Sequence, residues 1–334
     1  MLSLVIPVYK NEANLPRLFR ELEALAARVP DPLEVVFVVD GSPDTSLDIL
    51  RNRLPSWPVR SQLIELSRNF GSFPAIAAGL RYGRGEYFAA LAADLQEPPA
   101  LVLEFHKILK SGAADVVFGH RATRADAWSS QAASEWFWRL YRRFVVKDMP
   151  RGGIDVFGCT RQVRDRVLDL KEVNTNLIAL LLWLGFRRAF VPYDRLARQE
   201  GRSAWTLGKK LRYAFDSIFS FTDLPIRALL LLGVVGTAAA TVAGATVFVA
   251  WLMGHIPVLG YTPLMLVISF FGGLTALGLG IIGQYLWLSL QNARARPAFV
   301  VKSTWSSTTA DSDPLDLGQH HVLAAPPIAD RNSS

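Results

Sequence analysis

Three groups of acidic and amide residues follow short apolar runs in the first hundred positions of this 334-residue chain: Pro7-Val8-Tyr9-Lys10-Asn11-Glu12, Asp40-Gly41-Ser42-Pro43-Asp44 and Asp94-Leu95-Gln96-Glu97. Just past the carboxyl end of a strand, Asp40 suits ribose or base hydroxyls and Asp94 suits a hard divalent cation, which takes oxygen ligands. A dinucleotide site would need Gly-x-Gly-x-x-Gly after the first strand, and that turn holds no glycine. Further along the chemistry becomes basic. His120, Arg121 and Arg124 follow another apolar run, and Arg195, Arg198, Arg202 and Ser203 share a later segment. Guanidinium forks match phosphate oxygens two at a time. Each arginine alone also fits a surface ion pair; the group is what points to phosphate.

The elements that must position these residues alternate. Apolar runs at Leu2–Val8, Leu33–Val39, Gln62–Leu66, Tyr87–Leu91 and Asp115–Phe118 predict strands. Between them, apolar residues at three-and-four spacing predict helices over Glu12–Ala27, Ser46–Arg53, Pro74–Tyr82 and Pro99–Lys110. Near-continuous apolar strands separated by helices imply an α/β fold, a mostly parallel sheet covered on both faces. Its ligands belong at the carboxyl ends of the strands. Leu177–Leu184 is apolar but too short to cross a bilayer, and reads as a buried helix.

Two long stretches, about 228–253 and 261–290, contain no Asp, Glu, Lys or Arg. Each exceeds the roughly 20 residues a bilayer core requires, which predicts a helical hairpin in the membrane. Arg227 precedes the first, while Arg294, Arg296 and Lys302 follow the second, so the positive-inside bias places both ends in the cytoplasm. The expected organisation is a cytoplasmic domain over 1–206, an amphipathic segment at 207–226, the two spans within 227–292, and a disordered Ser-, Thr- and Pro-containing tail over 303–334. The basic, aromatic segments around Trp136 to Phe144 and Lys209 to Phe219 suit either a core-facing helix or the membrane interface. With this anchor, the net charge of +7 favours an anionic membrane surface or a phosphorylated substrate over nucleic acid. The one cysteine, Cys159, can form no intrachain disulfide, and no cleaved leader is expected.

With Ser67-Arg68-Asn69-Phe70-Gly71, Asp94-Leu95-Gln96-Glu97-Pro98-Pro99, Ser220 to Arg227 and Gly283-Gln284-Tyr285 in order behind the opening motifs, the chain resembles the family 2 glycosyltransferases of GT-A fold. Within them it is similar to the polyprenyl-phosphate glycosyltransferases, such as dolichyl-phosphate mannose synthase and bacterial undecaprenyl-phosphate glycosyltransferases. The likeness runs from Ile6 to Pro297. It implies an inverting transfer of one sugar from a UDP- or GDP-sugar to an undecaprenyl or dolichyl phosphate, with Mg²⁺ or Mn²⁺, at the plasma membrane, in the building of cell-envelope glycans.

By the same resemblance Pro7, Tyr9, Glu12 and Asp40 bind the donor, and Asp94 holds the metal with Gln96 in support. Arg121, Arg124, Arg195, Arg198, Arg202 and Ser203 grip phosphate from donor or acceptor. Asp155 is the candidate acid beside the acceptor, or else fixes the turn at Gly152 and Gly153. The chain departs from the pattern at three places: Ala92 fills the first acidic position of the metal motif, Val39 precedes Asp40, and Ala204 follows Ser203. Ala92 keeps a non-catalytic nucleotide-sugar-binding scaffold open as an alternative. A processive polysaccharide synthase needs more spans and a Gln-x-x-Arg-Trp motif, which is absent. Relatives of this kind often form tetramers, and the glycines of the second stretch would allow close helix packing.

Overall fold

A computed structural model describes residues 1–121, 154–170, 177–194, 224–253, 261–294 and 296–307. The chain opens with β1 (Leu2–Val8), α1 (Leu15–Ala26), β2 (Leu33–Val39), α2 (Ser46–Arg53), β3 (Arg60–Leu66), α3 (Ser72–Tyr82), β4 (Tyr87–Ala90), α4 (Ala100–Lys110) and β5 (Val116–Arg121). It continues with β6 (Ile154–Thr160), α5 (Arg161–Asp169), α6 (Leu177–Trp183), β7 (Arg188–Tyr193), the long helices α7 (Leu224–Leu252) and α8 (Tyr261–Ala293), and β8 (Val301–Ser306).

The described strands form one sheet of order β7-β5-β6-β4-β1-β2-β3-β8. Its centre is parallel, β4-β1-β2-β3, as the apolar runs predict. Leu2, Leu4, Val5, Ile6 and Val8 of β1 are fully buried, because helices cover both faces. Each such aliphatic side chain contributes about 1.5–3 kcal/mol by leaving water. On one face α3 lies so close to β1 that a Cβ at Gly79 would sit 2.2 Å from Val5 Cγ1. Only glycine allows that approach.

The sheet is mixed rather than mostly parallel. β6 runs antiparallel between β4 and β5, and β8 runs antiparallel on β3. β8 also corrects the expected tail, since residues 303–306 belong to the sheet; residues 308–334 lie outside the described ones. Lys302 Nζ and Ser303 Oγ both donate to the buried carboxylate of Glu65, at 2.6 and 2.7 Å.

α7 and α8 pack on each other through glycine: Gly278 faces Leu229, and Gly236 faces Phe271. Among the described residues one stretch, Phe270–Gln291 in α8, is long and apolar enough to cross a membrane, with 22 residues at mean hydropathy 1.4. The hairpin reading expects two.

Candidate functional site

β1 is the strand from which the parallel order departs in both directions, β2 and β3 on one side and β4 on the other. A crevice opens at such a switch point, beyond the carboxyl ends of the strands. The sheet order therefore sets out the rim in a line: Arg121, Asp155, Asp94, the 9–14 turn, the 40–46 turn, the 67–71 loop and finally Val300–Val301. With strands about 4.8 Å apart, Arg121 at the end of β5 stands roughly 14 Å from Tyr9 at the end of β1.

Pro7 pairs with Val38 one residue before the end of β1, and Tyr9 in the turn that follows is 37% exposed. Lys10 takes φ +57°, a left-handed conformation costly for a side-chain-bearing residue, with its N–H donating to Ser42 Oγ at 2.7 Å. Its ammonium lies 5.6 Å from the Tyr9 ring centre. Glu12 turns sideways: Oε2 accepts from Thr45 N at 3.0 Å and Thr45 Oγ1 at 2.6 Å. It thus neutralises the amino end of α2. Asp44 answers from the other loop, accepting from Glu12 N, Ser42 Oγ and Ser46 Oγ. Burial alone would raise the Asp44 pKa, yet these donors hold it below the ordinary value. The two loops are locked together, a role the motif spacing did not reveal for Ser42, Asp44 and Ser46.

Asp40 is engaged by the neighbouring loop. It is 3% exposed, and both carboxylate oxygens accept backbone hydrogen bonds, from Phe70 N at 2.7 Å and Gly71 N at 2.8 Å. The carboxylate faces the 67–71 loop ahead of α3 rather than open crevice. Burial raises its pKa, while those N–H groups and the Arg68 charge pull the other way. Gly41 adds a steric constraint: its φ is +56°, and a Cβ there would fall 2.4 Å from the Arg68 carbonyl carbon. Above this join the Arg68 guanidinium stacks 4.0 Å from the Phe70 ring centre.

After β4, Asp94 is partly exposed, and its Oδ1 accepts from Gln96 N at 3.4 Å. Leu95 between them has φ +52°. Lys10 and Leu95 are the non-glycine residues with left-handed backbone among those described, and they stand on the turns flanking the crevice. Gln96 and Glu97 are buried behind Asp94. Among the described residues no group of three or more His, Cys, Asp or Glu is placed to hold a metal.

On the basic side, Arg121 ends β5 opposite Tyr193 of β7. Asp155 lies in β6 at the register shift between Gly119 and His120, a bulge at the same end of the sheet. Arg124 lies outside the described residues, in a segment that leaves the rim after Arg121 and returns to it at Ile154. Arg195, Arg198, Arg202 and Ser203 also lie outside them, in the chain that leaves the same rim after Asp194.

The family model described as glycosyl transferase family 2 matches residues 3–170. A Synechocystis protein named as an uncharacterized glycosyltransferase is 32% identical over 305 residues, 91% of this chain and 95% of its own length. The bactoprenol glucosyl transferase of Shigella phage SfV is 28% identical over 90% of this chain and 98% of its own. A mannosyltransferase from Pyrobaculum calidifontis, solved with GDP-Man and Mn²⁺, is 17% identical over 86% of this chain and 87% of that one, at a TM-score of 0.42, too distant to bear on the chemistry.

Proposed function

The chain belongs to the family 2 glycosyl transferases, a family of enzymes, and from that premise we propose that it moves one sugar, with inversion, from a nucleotide diphosphate sugar to a polyprenyl phosphate at the cytoplasmic face of the plasma membrane. The observation that carries this reading is the sheet order, which sets the exposed Tyr9 after β1 beside Asp94 after β4, with Arg121 beyond at the end of β5. The relatives named bactoprenol glucosyl transferase, alike over nearly their whole length, support the polyprenyl phosphate acceptor. The stretch Phe270–Gln291 of α8 supports a membrane anchor, and the 29-residue α7 packed on it would be the other arm of the hairpin.

In this account Pro7 shapes the donor pocket and the Tyr9 ring takes the base. Glu12 and Asp40 hold the pocket's loops in place. Asp94 is the carboxylate for Mg²⁺ or Mn²⁺, with Gln96 behind it. A single protein carboxylate fits a magnesium-like ion that completes its shell with substrate phosphate oxygens and water. Bound there, the ion would neutralise charge on the departing diphosphate. Arg121, Arg124, Arg195, Arg198, Arg202 and Ser203 hold the acceptor phosphate, so that one oxygen faces the anomeric carbon. That oxygen is already anionic near neutral pH and needs little help from a base. Asp155 orients it.

Gly272, Gly273, Gly280 and Gly283 of α8 have nothing described within 4 Å of an added Cβ, unlike Gly278. This second stripe would receive a helix from another copy in a homo-oligomer. A crosslinking ladder that stays monomeric in native membranes would contradict it.

The function is tested by following label from a panel of UDP- and GDP-sugars into organic-extractable lipid, with purified protein and either undecaprenyl or dolichyl phosphate. Transfer from one donor supports the reading and names the sugar. Ala92 favours a second reading, a scaffold that binds the donor without turnover; calorimetric donor binding with no transfer under any metal or acceptor would select it.

A further inference from the structure

Two connections join the long helices to the sheet, and they differ in length. Residues 194–223 lie between β7 and α7, but only 294–300 lie between α8 and β8. Part of the short connection is already pinned. Val300 O accepts from Ser67 N at 2.9 Å, and Phe299 packs on the core with the Arg81 guanidinium 5.7 Å from its ring centre. The slack is therefore residues 294–298, which reach under about 18 Å even when fully extended.

The direction of β8 decides where this tether arrives. β8 is antiparallel to β3, so its first residue, Val301, pairs with the last of β3, Leu66. The chain enters the sheet at the rim end, beside Ser67 and the loop that Asp40 anchors. It is then clamped: Lys302 Nζ and Ser303 Oγ hold Glu65 from β8, and Arg51 Nη2 holds it from α2 at 2.8 Å. Ser307 N donates to Ser61 O at 3.0 Å at the far end. A strand of polar composition, VKSTWS, is thus held over its whole length at a sheet edge.

We propose that the 294–298 tether and the β8 clamp set the height of the crevice above the bilayer, with Glu65, Lys302, Ser303 and Arg51 as positioning residues for an acceptor that stays in the lipid phase. The inference rests on the membrane reading above. A short tether raises the effective concentration of the site at the bilayer surface, and added slack lowers it without changing the site.

The experiment uses the full chain in vesicles containing polyprenyl phosphate, and separately a water-soluble short-chain prenyl phosphate with the same protein. One variant carries about ten Gly-Ser residues between Pro297 and Ala298; a second is Lys302→Glu, which opposes Glu65 from an exposed position. A tenfold-order loss on the vesicle acceptor is expected for the insertion, with turnover of the soluble acceptor and donor KM unchanged. Equal loss on both acceptors, or loss on neither, would overturn the proposal. Lys302→Glu should follow the insertion in the same direction.

A readout without turnover separates this proposal from the function. Cys159 is buried, its thiol pKa pushed up to about 12 by burial, so a dye on Ala13→Cys labels the exposed rim selectively. Energy transfer from that dye to labelled headgroups should weaken and broaden in the insertion variant. Unchanged transfer would overturn the tether, whereas absent glycosyl transfer by the unmodified protein would overturn the function alone.

Discussion

The Asp40 carboxylate and the backbone of Phe70 and Gly71 form one joint, with both oxygens engaged at 2.7 and 2.8 Å inside a site 3% exposed. It connects the turn after β2 to the loop after β3, and thereby the crevice wall to the amino end of α3. Asp40→Asn replaces one acceptor oxygen by an N–H₂ group that faces a backbone N–H. The expected cost is about 1–3 kcal/mol, from an unsatisfied buried donor. Thermal unfolding should show it, and donor KM should rise because the loop is no longer held.

Gly41→Ala tests the same joint sterically. Its φ of +56° disfavours a side chain, and the added Cβ would lie 2.4 Å from backbone of Arg68. Strain of about 1–3 kcal/mol is expected, plus displacement of the 67–71 loop. A crystal structure of the variant with that loop unmoved would contradict this.

At the opposite end of the sheet, Glu34 is fully buried and accepts from Ser3 Oγ at 2.6 Å, Gln62 Nε2 at 2.8 Å and Arg84 N at 2.9 Å. Glu34→Ala would remove the acceptor of all three hydrogen bonds, at about 1–3 kcal/mol for each buried donor left unsatisfied. Because this network lies far from the rim, Tm should fall while kcat and KM stay as they are below the transition. A changed KM would show coupling that the fold does not suggest.

Glu65 makes the β8 clamp sensitive to acid. Burial raises its pKa, but Lys302, Ser303 and Arg51 outweigh that and hold the carboxyl below its ordinary value. A depressed folded pKa contributes stability above the unfolded value, and that stability is lost as pH falls through the folded one. The protection factors of the Lys302 to Ser306 amides should therefore fall as pH drops below the ordinary glutamate range, and Glu65→Gln should flatten the dependence. Asp31, Asp44 and Asp115 have lowered values as well, so the comparison with Glu65→Gln isolates the clamp.

The central strands were legible because each is a continuous apolar run buried on both sides. β6, β7 and β8 were not: IDVFGCT, RAFVPY and VKSTWS mix charge, glycine or proline with apolar residues. β8 also pairs with a strand 237 positions away, through Lys302 and Glu65, which no local pattern records. The motif acids could be placed at the rim from the strand ends alone. Their orientation could not, since Glu12, Asp40 and Asp44 turn inward on backbone donors that belong to other loops.

In the proposed function Asp94 is the acid on which the chemistry depends. The most direct measurement compares the protein and Asp94→Asn, both folded and purified, in sugar transfer from a nucleotide diphosphate sugar to polyprenyl phosphate with Mg²⁺ or Mn²⁺. The account predicts labelled lipid from the unmodified protein, abolished by chelation and reduced by at least about a hundredfold in Asp94→Asn, as for loss of a group that stabilises developing charge. Equal turnover by the two proteins would contradict it.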